Sequence, residues 1–89
     1  MKVVIEGNKM KNIKELHNVI KEELEFPQYY GANLDALWDC LTGWIDLPMI
    51  VEWRNYTECE NFLGNYAMKV LEVFKEAEEE MDDFFIIVK

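Results

Sequence analysis

Serine is absent from this 89-residue chain, and histidine occurs once, at His17. Without a seryl hydroxyl there is no Ser-His-Asp nucleophile. A Cys-His pair would have to bring Cys40 or Cys59 to His17, and neither cysteine has an activating environment in the sequence. His17 falls at the edge of an apolar helical stripe, where a partly buried structural histidine is the simpler reading. Phosphate-cradling glycine loops, HExxH and CxxC are also missing. Asp35, Asp39 and Glu76 offer oxygens, but their spacing matches no Ca²⁺ loop, which draws more ligands from one segment. A carboxylate-pair hydrolase is the rival of a different class. It needs a cleft between opposed acids, which two acids on one convex helix face do not make. No catalytic group, metal or cofactor is expected.

Long apolar runs are lacking too. No uninterrupted stretch approaches the ~18 residues that span a bilayer, and residues 1–20 alternate charge with apolar groups, unlike an export signal. A cytoplasmic protein with reduced, structural Cys40 and Cys59 is the expectation, although the sequence alone leaves a disulfide open. Positive charge is scarce: nine bases face eighteen acids, for a net charge of −9. Five of those bases lie in the first 21 residues; none occurs from Glu22 to Trp53, where seven acids do, and seven acids with only Lys75 occupy 72–83. Such segregation repels phosphates, so nucleic acid and anionic membranes are poor partners and a basic protein is the natural complement. Acidity serving solubility alone is the bland alternative.

With 51% hydrophobic and 13% aromatic residues the chain has the composition of one packed domain over 1–89. Val3-Val4-Ile5, Met49-Ile50-Val51 and Phe84-Phe85-Ile86-Ile87-Val88 are continuous apolar runs, as in a parallel sheet covered on both faces. Asn12 with Glu15 suggests a capping box for a helix buried through Ile13, Leu16, Ile20 and Leu24, ended at Phe26-Pro27. Asn33 caps a second helix with Leu34, Leu37, Trp38 and Leu41 inward, closed by Gly43. Thr57 caps a third, reaching about Leu63 and broken by Gly64-Asn65. A fourth runs from about Tyr66 to Met81, with Ala67, Val70, Leu71, Phe74 and Ala77 inward. The order β-α-α-β-α-α-β predicts an α/β fold: a three-stranded parallel sheet packed by about four helices. No linker or repeat interrupts it, and the Leu47-Pro48 bond is open to either isomer.

Residues 28–44, QYYGANLDALWDCLTGW, carry the densest signal. Asp35 and Asp39 are one helical turn apart on one face, and like charges at that spacing cost a few tenths of a kcal/mol. No lysine lies four residues away to offset them. Tyr29, Tyr30, Trp38 and Trp44 surround them, and aromatic rings beside concentrated negative charge suggest a docking face for something cationic. In the last helix Val73, Glu76 and Glu80 share a stripe away from the core. That stripe is an ordinary solvated surface unless the helix lies beside 33–41.

At these residues the chain resembles the barstar family, intracellular inhibitors of the secreted ribonuclease barnase. The closest segment is 27–54, PQYYGANLDALWDCLTGWIDLPMIVEWR; Leu16-His17 and Val70-Leu71…Val73-Phe74…Glu76-Ala77 also fit. The likeness spans the chain without gaps and fades across 55–66 and 78–89. The resemblance implies that the second helix and its preceding loop plug the active site of a basic, guanyl-preferring extracellular ribonuclease. The complex would be one-to-one, and the free inhibitor a monomer. It assigns docking roles to Tyr29, Gly31, Asn33 and Leu34 in and after the loop, and to Asp35, Trp38, Asp39, Thr42, Gly43 and Trp44 along the helix. Val73, Glu76 and Glu80 join them from the last helix. Asp39 would stand where substrate phosphate binds, Asp35 and Glu76 would meet further cations, and Tyr29 would pack on the enzyme's catalytic histidine. Asp46, counted with this set, and Leu47 replace a longer acid and an aromatic ring of the best-known member. Cys59 lies elsewhere than the family's second cysteine. A different cationic protein partner is the alternative.

Overall fold

In the computed structural model, which describes residues 1–89, the apolar runs are the strands β1 (Lys2–Glu6), β2 (Met49–Arg54) and β3 (Phe84–Val88). They pair in parallel in the order β1-β2-β3, with Val3 opposite Val51 and Val51 opposite Ile86. Parallel neighbours need crossovers. The first is α1 (Ile13–Glu23) and α2 (Leu34–Gly43); the second is α3 (Tyr56–Leu63) and α4 (Asn65–Glu80). The fold is therefore the α/β arrangement read from the sequence, with a 3-10 turn at Gly7–Lys9 added.

The sheet is covered on one face, not two. Two right-handed crossovers advancing in the same direction put every helix on the same side. Side chains alternate along each strand, so Ile5, Val51, Trp53 and Phe84 are buried against the helices while Phe85 and Ile87 remain exposed. On that open face Lys2, Arg54 and Lys89 close over Glu52, with Lys2 Nζ 2.9 Å and Lys89 Nζ 3.7 Å from its Oε1. Hydrogen bonds from Arg54, then from Lys2, hold the Glu52 carboxyl down to about 2. On the covered face Trp53 packs edge-on to Tyr56 and Phe74, and Phe74 stacks on Phe84 with ring centroids 6.4 Å apart. Burying side chains of this size stabilises the fold by ~1.5–3 kcal/mol each.

Asn12 caps α1: its Oδ1 accepts the Glu15 N–H (2.8 Å) and its amide donates to the Glu15 carboxylate (2.9 Å). Leu16, His17, Ile20 and Leu24 are buried, but Ile13 is 47% exposed. At 100° per residue Ile13 lies within about 5° of the centre of that stripe, so its exposure comes from its place as the first residue of α1, not from its face of the helix. The helix ends before Phe26-Pro27, at Glu25, which takes a left-handed φ of 56°. The Phe26 N–H then bonds the Lys21 carbonyl (2.9 Å) and the Glu25 N–H the Glu22 carbonyl (3.4 Å), the paired closure usually built on glycine.

Asn33 caps α2 through the Ala36 N–H (2.7 Å). Leu37, Cys40 and Leu41 are buried there, with Leu34 and Trp38 only half-buried. Gly43 is its last residue but supplies no left-handed turn; Trp44 and Ile45 N–H groups close the helix on the Cys40 carbonyl. Thr57 is not a cap. The chain leaves β2 through Asn55 (φ 54°) straight into α3, with no extended residue in which Thr57 could cap. Gly64 (φ 58°) separates α3 from α4, and Leu71 is half-buried. The Leu47-Pro48 bond is cis, and both cysteines are free and buried.

Gly7 is the tightest point of the backbone. A Cβ there would collide with the Asn55 carbonyl oxygen and lie 2.8 Å from that of Arg54. Because both obstacles are backbone, neither can swing aside. Gly7→Ala is expected to destabilise the fold by about 1–3 kcal/mol or more in urea denaturation, with the spread set by how far β2 and the 3-10 turn separate.

Candidate functional site

The loop between α1 and α2 is fixed from below. Phe26 and Tyr30 pack with centroids 4.9 Å apart, and the Tyr30 hydroxyl lies 2.7 Å from His17 Nδ1. His17 Nε2 lies 2.7 Å from the Tyr66 hydroxyl. A neutral imidazole donates through one nitrogen and accepts through the other, so the ring uses both to join α1, the loop and α4. Burial holds His17 below its ordinary value, and burial first, then Cys40 and Tyr66, pushes the Tyr30 hydroxyl up. Tyr30 is thereby removed from the four-ring docking face read from the sequence. A hydroxyl with a buried partner turns inward, and its neighbour Tyr29 is left 79% exposed.

Tyr29 meets Trp44 edge-on at 6.4 Å, and the Trp44 indole N–H donates to the Glu25 carbonyl (3.0 Å). The left-handed closure of α1 thus anchors the outward ring pair. Between them, Ala32 adopts φ 52°, a conformation costing a non-glycine residue roughly 1–2 kcal/mol. Gly31 sits close to the start of α2: a Cβ there would lie 3.3 Å from that of Ala36. Its carbonyl accepts from the Asn33 amide (3.3 Å).

From α2, Asp35, Asp39, Thr42 and Gly43 are exposed, with Leu34 and Trp38 half-buried beside them. The Thr42 hydroxyl donates to the Trp38 carbonyl (2.8 Å). Neither aspartate has an ion-pair partner, since every salt bridge in the chain involves Glu52 or Glu6. A Cβ at Gly43 would meet nothing within 4 Å, so no part of the free chain requires glycine there. Helix α4 packs along α2, the adjacency its acidic stripe needs. Val73 is half-buried in that stripe, and Glu76 and Glu80 are exposed, as is Asp46 beyond Trp44.

Neither thiol is activated. Burial, then the Asp39 charge, pushes Cys40 up, and burial, then Glu60, pushes Cys59 up to about 11. No group of three His, Cys, Asp or Glu side chains converges where it could hold a metal ion, and no helix is long and apolar enough to cross a membrane.

An α/β scaffold that presents acids without ion-pair partners beside exposed rings has the features of a surface for binding another protein. The chain belongs to the barstar family: the family model described as "Barstar (barnase inhibitor)" matches residues 1–89. A Bacillus subtilis (strain 168) protein named "Putative ribonuclease inhibitor YrdF" is 53% identical over 87 residues, covering 98% of this chain and 96% of the relative. The family is one of inhibitors, not enzymes.

The His17 node generates a pH dependence. Its folded value lies below the ordinary 6.5, so above 6.5 both states are neutral and its contribution is whole. As pH falls below 6.5 the unfolded chain binds a proton the native chain resists, and stability declines until pH passes the folded value. Glu52 acts in a lower window, its contribution being lost between 4.5 and about 2. Urea denaturation at pH 7.5, 6.5 and 5.5 is expected to show a progressive loss that His17→Gln flattens. Parallel profiles for the two proteins would remove His17 as the cause.

Proposed function

We propose that this protein inhibits a basic, guanyl-preferring extracellular ribonuclease of the barnase type by filling its RNA site, one inhibitor to one enzyme. It acts as a monomer in the cytoplasm, before the enzyme leaves the cell. The observation that carries this reading is the pair Asp35 and Asp39: exposed, one turn apart on a capped helix, and without a cation of the chain's own. A site that binds RNA concentrates positive potential where phosphates sit. Carboxylates held at fixed spacing on a helix can occupy those positions with little loss of side-chain freedom. Repulsion between the two acids costs only ~0.2–0.5 kcal/mol in the free chain and is relieved when enzyme cations arrive. A lysine placed between them would stabilise the inhibitor and weaken the complex.

In this reading Asp39 takes the phosphate position, and Asp35 and Glu76 meet further cations. Tyr29, braced by Trp44, packs on the enzyme's catalytic histidine. Gly31, Asn33 and Leu34 set the loop, Trp38, Thr42 and Gly43 complete the helix face, and Val73, Glu80 and Asp46 form its edges. Family membership and the relative's name support the inhibitor role; the phosphate mimicry rests on the unpaired acids.

RNA cleavage by a barnase-type ribonuclease is expected to stop at stoichiometric inhibitor. Asp39→Ala, which leaves enzyme cations buried without a partner, should weaken binding by about 3–5 kcal/mol, at least a hundredfold. Full cleavage in inhibitor excess, with capture of a basic protein of another kind, would replace the ribonuclease with that partner. Gly43→Ala separates fold from docking. In the free chain it should raise stability by about 0.5–1 kcal/mol, as for a helical glycine replaced by alanine. Against the enzyme the added methyl should cost about tenfold or more in affinity. Unchanged affinity would show that the partner does not approach this turn.

A further inference from the structure

We propose that a groove between the C-terminal end of α1 and the connection from α2 to β2 receives an arginine or lysine side chain of the ribonuclease, extending the docking surface beyond Trp44. This rests on the inhibitor reading above and adds to it a subsite outside the helix face. The groove has a volume of about 320 Å³. Its apolar wall is Met1, Leu24, Trp44, Ile45 and Met49, of which Leu24 and Met49 are buried. Glu23, Glu25 and Asp46 also line it. Trp44 belongs both to the groove and to the edge-on pair with Tyr29, so the two surfaces are continuous.

The lining selects its occupant by chemistry. Three acids repel a phosphate or a nucleotide. A purely apolar group would cover the wall and leave the acids without a partner. Their carboxylates do not converge as metal ligands. A long cationic side chain fits both features, laying its methylene stem on the apolar wall and its charged head among the carboxylates. The Trp44 ring adds a face over which a guanidinium or ammonium is attracted.

No lysine or arginine side chain of the chain's own lines the groove. No lysine or arginine lies between Lys21 and Arg54, and Glu23, Glu25 and Asp46 form no salt bridge. The Met1 ammonium, at one end, bonds the Pro48 carbonyl (2.9 Å) and not these acids. Two helices also end here with the negative poles of their dipoles, and α2 has no base in its last turn.

The test compares association and dissociation rates with a barnase-type ribonuclease for the unmodified chain, Glu23→Gln/Glu25→Gln, Glu25→Lys and Asp39→Ala, with thermal melts confirming that each variant folds. A seated cation is held by short-range contacts, so its loss is expected mainly in dissociation. The double variant, which removes carboxylate charge and keeps Trp44, should release the enzyme about tenfold faster, the size of one lost charge-assisted hydrogen bond. Glu25→Lys, which places a cation of the chain's own in the groove, should release it faster still. Changes confined to association and erased by salt would mean long-range steering, and would overturn the subsite. So would groove variants that behave like the parent while Asp39→Ala loses binding; the inhibitor reading would then stand alone. No inhibition by the parent chain would defeat the inhibitor reading, and the subsite with it.

Discussion

One imidazole decides where the rest of the proposed docking surface can be. His17 is buried in α1, and its two ring nitrogens engage Tyr30 from the loop and Tyr66 from α4. A buried polar group without partners would cost about 1–3 kcal/mol, so all three side chains depend on the arrangement being complete. Once Tyr30 is committed inward, the next residue back, Tyr29, faces out. The backbone that continues to Asn33 then starts α2 in a set direction. The orientation of Asp35 and Asp39 thus follows from a hydrogen-bonded node in the interior.

Charge is divided between the two sides of the molecule. Lys2, Arg54 and Lys89 converge on Glu52 on the bare face of the sheet. There they satisfy an acid that would otherwise be desolvated by its neighbours. The acids of α2 and of the outer stripe of α4 keep no such company. Isolated surface ion pairs contribute little to stability, so leaving these carboxylates single costs the fold little. It leaves their full field available to an approaching cationic protein.

Much of this was legible in the sequence because it is written locally. The apolar runs, the two asparagine caps, Gly64 and the spacing of Asp35 and Asp39 each depend on a few neighbouring residues, and the structure places them as read. Features set by distant partners were not legible. Val3-Val4-Ile5 and Phe84–Val88 have the composition of doubly covered strands, yet the direction of the crossovers leaves one face open. Tyr29 and Tyr30 are identical neighbours, and only the position of His17 tells them apart. Glu25 has no sequence mark of a left-handed helix closure, and the carbonyl it offers to Trp44 belongs to the backbone, which every residue shares. Ile13 fits the helical period of its stripe, yet as the first residue of α1 it is left exposed, which spacing alone does not reveal.

The two thiols have a practical consequence. Cys40 lies inside α2 next to Asp39, and Cys59 is sealed within α3; both are reduced, buried and poorly ionised. An alkylating reagent therefore reads structural opening at each place rather than intrinsic reactivity. Modification rates at Cys40 and Cys59, resolved by mass, would gauge how often α2 loosens independently of α3 on the far crossover.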